Sequence, residues 1–259
     1  MSNMESQIII FEGNQKDGIF SSSKKFYPEN YTTKEIFNKI KEDRIKLGKK
    51  YNFSGLKMLQ VTQKMEDNDV YPDNKTVLIT DKYLQKEDLF TEKIQADILV
   101  ISKKYKNIVL CHRMADCPVL IAEDRKQGIS AIVHCGIYHI NRELPKEFLK
   151  TLINKYHCNP NNIYLYIGSH IKKESYIYDS YPKIATNKKI WKNAIIEEKD
   201  GFHIDLEKAI MNQIEKYSLA EISISKIDTA TNKDYASHYA SVHGDSSKLG
   251  QNIVGFYYK

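Results

Sequence analysis

Met114-Ala115-Asp116-Cys117-Pro118 leads into the apolar run Val119-Leu120-Ile121-Ala122; a polar turn from Glu123 to Gly128, the run Ile129-Ser130-Ala131-Ile132-Val133, and His134-Cys135-Gly136 follow. This stretch decides how the chain is read. Two apolar runs rich in β-branched residues, joined by a short charged turn that ends in glycine, predict a hairpin or neighbouring strands of one sheet. Cys117 stands just before the first run and His134 just after the second. Antiparallel pairing therefore carries both side chains to the same end of the sheet. Strand ends on a rigid scaffold are where catalytic groups often sit. A thiol beside an imidazole serves either as a pair of metal ligands or as an activated nucleophile, and the residues alone leave both open.

Working outward, Ala96 to Ser102 and Asn107 to Cys111 read as a hairpin around Lys103 to Lys106, leading to His112 and Arg113, either of which can line the site. Downstream, Pro145 to Tyr156 reads as a helix with Phe148, Leu152, Ile153 and Tyr156 at helical spacing. Ile163 to Ile167 reads as a strand opening into Gly168-Ser169-His170-Ile171. On the N-terminal side, Gln7 to Phe11 and Gly18 to Ser22 read as two strands, and Met58 to Val61 and Val77 to Thr80 as two more. Thr33 to Leu47 is an amphipathic helix with Ile36, Phe37, Ile40, Arg44 and Leu47 on one face and Thr32 or Thr33 as its cap. The remainder supplies a polar loop or edge strand from Tyr176 to Asp200, in which Trp191 packs, and a helix from Asp205 to Tyr217. Strands at Glu221 to Ile227 and Asn252 to Tyr258 follow it.

A chain of 259 residues with 41% apolar content supports a substantial core, and no linker or repeat interrupts it, so residues 1–259 are expected to form one domain. The net charge of +6 comes mainly from scattered lysines rather than an arginine-rich patch, which points away from nucleic acid. The first thirteen residues lack a signal-peptide core, and no run approaches the roughly 20 apolar residues of a membrane helix. A cytoplasmic protein without membrane association is expected. Four cysteines without a CxxC pair are expected to be reduced thiols, mostly buried.

Ala115-Asp116-Cys117-Pro118 together with Val133-His134-Cys135-Gly136 resembles the Thr-Ala-Asp-Cys and Val-His-Ala-Gly-Trp signature of the bacterial polyphenol-oxidase, or laccase-domain, proteins, understood as purine nucleoside phosphorylases. The resemblance implies an α/β fold with mixed sheets packed face to face and helices outside. It implies phosphorolysis of purine nucleosides such as inosine or adenosine, with adenosine deamination as a further activity, and zinc, or copper, held by Cys117, His134 and a third group. Asp116 and Arg113 would join Cys117 and His134 in catalysis, and Gln60, Thr62 and His238 would meet nucleoside or phosphate.

Several motifs depart from the family pattern. Gln60-Val61-Thr62-Gln63 stands where the family has Gln-Val-His-Gly, and a threonine hydroxyl is a poor zinc ligand beside imidazole. The third position would then fall to water, His170, His112 or a partner chain. Ser21-Ser22-Ser23-Lys24-Lys25 lacks the family's arginine, Ile137 replaces its tryptophan with Tyr138 as a partial substitute, and Tyr239, Ala240 and Gln251 replace further arginines around Asp228-Thr229, Ser237-His238 and Leu249-Gly250. Three functions remain in view: a zinc phosphorylase, a Cys117–His134 thiol hydrolase or deamidase, and a catalytically inactive relative that binds a ligand. The sequence does not fix the oligomeric state.

Overall fold

Alternation of apolar side chains along its strands gives this chain two large facing sheets. The computed structural model describes residues 5–18, 20, 24–62, 75–92 and 94–259, with Thr62 described by its backbone only. In chain order the strands are β1 (Ile8–Gly13), β2 (Met58–Thr62), β3 (Thr76–Leu78), β4 (Ile94–Gln95), β5 (Ile98–Ser102), β6 (Val109–Met114) and β7 (Val119–Asp124). They continue with β8 (Ile129–His134), β9 (Ile163–Ile167), β10 (Ile177–Tyr178), β11 (Ile195–Glu198), β12 (Gly201–Ile204), β13 (Glu221–Ile224) and β14 (Asn252–Tyr258). The α-helices are α1 (Thr33–Tyr51), α2 (Ile137–Asn141), α3 (Leu144–Lys150), α4 (Leu206–Ile214) and α5 (His238–Val242).

One sheet has the order β1-β14-β6-β2-β4, the other β13-β9-β7-β8-β5-β3, and a small third sheet β10-β12-β11. Successive residues of a strand point to opposite faces, and the core divides accordingly. Leu99, Ile101, Val119, Ile121 and Ile132 of the second sheet pack against Leu59, Leu110, Val254 and Phe256 of the first. Their neighbours Val100, Leu120, Ala122, Ala131 and Val133 pack against Ile140, Phe148 and Ile210 of α2, α3 and α4. On the outer face of the first sheet, Phe11, Val109, Cys111, Ile253 and Tyr257 meet Leu47 of α1. The result is the expected α/β domain of helix, sheet, sheet and helix layers.

α1 starts where the sequence places it, because Thr32 and Glu35 form a reciprocal capping box, and it runs on to a left-handed Asn52 at φ 60°. Phe37 was expected on its buried face but is 52% exposed. Arg44, expected on that face, is buried there, and its guanidinium donates to both carboxylate oxygens of Asp88 and lies 4.2 Å from the Phe90 ring centre.

The hairpin expected from Ala96 to Cys111 does not form. β5 pairs with β8 and β6 pairs with β14 and β2, so the turn after Ser102 carries the chain from one sheet to the other. Both strands are buried on two faces, so their composition does not say which sheet each joins. The strand expected from Gly18 to Ser22 is not seen at Gly18 or Phe20, and Ile19, Ser21 and Ser22 lie outside the described residues. The helix expected to reach Tyr156 gives way after Lys150 to a π-helical turn, Thr151–Lys155. Trp191 packs as expected, with its indole N–H donating to Asn141 Oδ1 at 2.8 Å. Among the described residues no helix is long and apolar enough to cross a membrane.

Candidate functional site

β7 and β8 pair antiparallel with Val119 opposite His134, and the Cys135 N–H donates to the Pro118 carbonyl at 2.8 Å. This register puts Cys117 and His134 at one end of the second sheet, as the sequence predicts. Gly136 then allows them to close up. A Cβ on Gly136 would lie 3.0 Å from the Cys117 sulfur, 3.5 Å from His139 Nδ1 and 3.7 Å from His134 Cε1. Gly136 is also the N-cap of α2, so the helix begins at once and returns His139 over the sulfur.

A fourth group comes from the facing sheet. His112 lies opposite Val254 in the ladder between β6 and β14, and its ring stacks on His134 with centroids 6.0 Å apart. His139 meets the same His134 edge-on at 5.2 Å. One sulfur and three imidazoles are therefore neighbours at this end of the sheets, with no three of their donor atoms all within 4.8 Å of one another. Residue parity on β6 explains why His112 takes part: Cys111 belongs to the core on the α1 side, so its neighbour His112 faces the other sheet.

The same parity sends Arg113 away. Its Nη1 donates to the Phe20 carbonyl at 2.7 Å, and with Gln60, Arg44, Phe37 and Phe90 it lines a separate cleft beside α1. Gln60, in register with Cys111, opens on that cleft as well. Arg113 and Gln60, expected at the site, thus lie on the opposite face of the first sheet from His112. His170 is not brought to the sulfur either. Its Nδ1 bonds the Gly168 carbonyl at 2.8 Å and its Nε2 accepts from the Lys172 ammonium at 3.1 Å, which leaves no ring nitrogen for a metal. His238 is exposed as the first residue of α5. Thr62 ends β2 beside Gln95, and its side chain lies outside the described residues.

Both carboxylate oxygens of Asp116 are hydrogen-bonded. Its backbone is left-handed at φ 80°, Oδ1 accepts from the Thr229 hydroxyl at 2.7 Å, and Oδ2 accepts from the Tyr239 N–H at 2.6 Å. The carboxylate thereby ties the Cys117 loop to α5. An aromatic tier stands beside it: Tyr176 packs edge-on against Tyr239 at 5.4 Å, and Tyr239 stacks on His243 at 4.0 Å. Tyr138, expected to replace the missing tryptophan, is exposed on α2.

Burial sets the protonation of the cluster. It pushes the Cys117 thiol up to about 12, with the Asp116 charge adding to the effect. It pulls His134 down to about 4, and His139 to about 3 with help from the charges of His134 and Arg142. His112 falls well below its ordinary value for the same reason, reinforced by His134 and His139. Without a metal, the group is a neutral thiol among neutral imidazoles. A thiolate–imidazolium pair is therefore opposed by desolvation, whereas neutral imidazoles are the form that binds metals.

By residue type the cluster suits a thiophilic metal. Cys and His are its usual donors, and the buried Nε2 of His112 has no hydrogen-bond partner among the described residues. The cluster is looser than a closed site. Among the described residues, the group of three whose donor atoms all lie within 4.8 Å of one another is Glu198, Asp200 and His203, in the small sheet. The sequence names His112 among the groups that could line the site or take the third metal position, but not His139, whose signal was its position one helical turn beyond Gly136.

A family model described as multi-copper polyphenol oxidoreductase laccase matches residues 32–254. Among solved structures, the chain is similar to the hypothetical protein YfiH of Bacillus licheniformis, with TM-score 0.70 and 18% identity over 86% of this chain and 82% of that one. It is similar to YlmD of Geobacillus stearothermophilus, with TM-score 0.71 and 16% identity over 86% and 81%. The Neisseria meningitidis protein NMB0706 gives TM-score 0.63 and 13% identity over 86% and 82%. At these identities the structures share the fold. A search among curated proteins finds no match. With the family pattern matched across most of its length, the chain belongs to the multi-copper polyphenol oxidoreductase laccase family.

Proposed function

We propose that the protein is a purine nucleoside phosphorylase-like metalloenzyme acting on inosine or adenosine, with a zinc or copper ion at the Cys117 cluster. The observation that carries this reading is the grouping of Cys117, His134 and His112 at one end of the sheets, where the buried Nε2 of His112 has no hydrogen-bond partner among the described residues. Cys117, His134 and His112 would hold the ion, with His139 beside them. His112 then supplies the nitrogen that Thr62 does not. When bound, such an ion supplies Lewis-acid polarisation of an oxygen ligand.

The chain's own groups account for the rest of the site. Asp116 fixes the loop that carries the sulfur, and the Tyr176–Tyr239 tier offers aromatic faces on which a purine can stack. Phosphate needs a cation. Arg142, whose charge reaches His139, fills this role in our reading. Lys248 does not, because its ammonium is committed to the carbonyls of Thr229, Asn232 and Tyr235.

The loss of family arginines at Tyr239, Ala240 and Gln251 favours a second reading, a catalytically inactive relative that binds a ligand. Metal-replete protein incubated with inosine or adenosine and phosphate separates the two. Release of ribose-1-phosphate, abolished in Cys117→Ala, supports the phosphorylase. Lack of product from protein that holds its metal, together with a rise in Tm on adding nucleoside, leaves the binding role.

A further inference from the structure

We infer that the turn between β11 and β12 is a second divalent-cation site, formed by His203 Nε2 with the carboxylates of Glu198 and Asp200 and separate from the Cys117 cluster. β11 ends at Glu198 and β12 begins at Gly201, so Lys199 and Asp200 alone make the turn. Gly201 permits this tight return. It sits at φ 136°, and a Cβ there would come within 2.6 Å of the Tyr178 carbonyl. The turn holds one carboxylate at the end of a strand and the other at its tip, both over His203.

His203 is oriented from outside this group. Its side chain is 10% exposed, and its Nδ1 lies 3.0 Å from the Lys173 carbonyl. A carbonyl only accepts, so Nδ1 carries a proton, and Nε2 is the ring nitrogen turned toward the two carboxylates. A ring nitrogen anchored on a backbone carbonyl, with the other free to coordinate, is the usual arrangement of a metal-binding histidine. In this structure Nε2–H donates to Asp200 Oδ1 at 2.8 Å and lies 4.0 Å from Glu198 Oε2; with that proton removed, Nε2 is left as an acceptor facing a carboxylate. Two acceptor atoms at such a distance require a positive charge between them. A proton meets this need as an ion pair, and a divalent ion meets it by coordination while also drawing in Glu198.

The neighbouring cation does not compete for the place, since the Lys173 ammonium lies 3.9 Å from Glu174. Glu198 and Asp200 are more than half exposed, so a hydrated ion can reach them and keep waters in its shell. One imidazole and two carboxylates suit zinc or manganese rather than a thiophilic copper. Bound there, the ion would clamp the hairpin turn to the chain around Lys173.

The test uses the full chain with Cys117→Ala and His134→Ala, so that the first cluster cannot contribute. Equilibrium dialysis against zinc should show one bound equivalent, and His203→Gln or Asp200→Asn should weaken it by at least about tenfold. Glu198→Gln, at an exposed turn position, serves if the His203 variant fails to fold, and should weaken binding in the same direction. Equal binding by the parent and by the Asp200 and Glu198 variants would overturn the inference and leave a His203–Asp200 ion pair. So would the absence of any bound equivalent in the parent.

Discussion

His112 and His134 stack across the gap between the two large sheets, with ring planes 29° from parallel. One belongs to β6 and the other to β8, strands that share no ladder. A metal held by both would bridge the two halves of the core.

His112→Gln should therefore lower metal affinity at the Cys117 cluster by at least about tenfold, since outer partners of such sites already contribute 10- to 100-fold. Competition against a chromogenic chelator measures this. Unchanged affinity would show that the third nitrogen comes from elsewhere.

Gly136→Ala places a methyl group 3.0 Å from the Cys117 sulfur. The cluster must spread, at a cost of about 1–3 kcal/mol. Urea unfolding should register that loss, and metal analysis should find the purified variant depleted. A variant of parental stability with a full complement of metal would contradict the packing described here.

Asp116→Asn keeps the shape and tolerates the left-handed backbone, but removes the charge that accepts from Thr229 and Tyr239. Hydrogen bonds to a charged group contribute about 1.5–3 kcal/mol each, and a loss of that order is expected. Thr229→Val should show a coupling with it in a double-mutant cycle; strict additivity would mean that the two groups do not act together.

The Arg44–Asp88 pair gives a pH signature. Burial alone would raise the Asp88 carboxyl, but hydrogen bonds and charge from Arg44 outweigh it and hold the group below its ordinary value. The stabilisation is then complete above the unfolded value of about 4 and is lost as pH falls through the lower folded value. Asp88→Ala leaves the buried Arg44 guanidinium without its counter-ion, with the Gly55 carbonyl and the Phe90 ring still against it, a loss of about 3–5 kcal/mol at neutral pH. Urea melts across the acid range should show the difference between parent and variant shrinking toward low pH.

The meeting of Cys117 and His134 was legible because it follows from one antiparallel register, and that register follows from two apolar runs and a turn. The layer order was legible in the resemblance, and the alternating core residues account for it. The split of β5 and β6 between sheets was hidden, because strands buried on both faces carry no mark of their partners. The choice between His112 and Arg113 was hidden for a related reason: adjacent residues face opposite ways, and only the ladder with β14 says which faces inward. His139 depended on α2 starting directly at Gly136.

β14 lies between β1 and β6, although the ribosome makes it after both. Until Asn252–Tyr258 emerges, β1 has no strand partner among the described residues and β6 lacks its pairing on the β14 side, a template for unwanted pairing during translation. The imidazole of His112 is fixed opposite Val254 only when that strand inserts. Nascent chains stalled before Asn252 should accordingly associate with chaperones, and completion of the sheet, rather than arrival of a metal, should mark the moment of release.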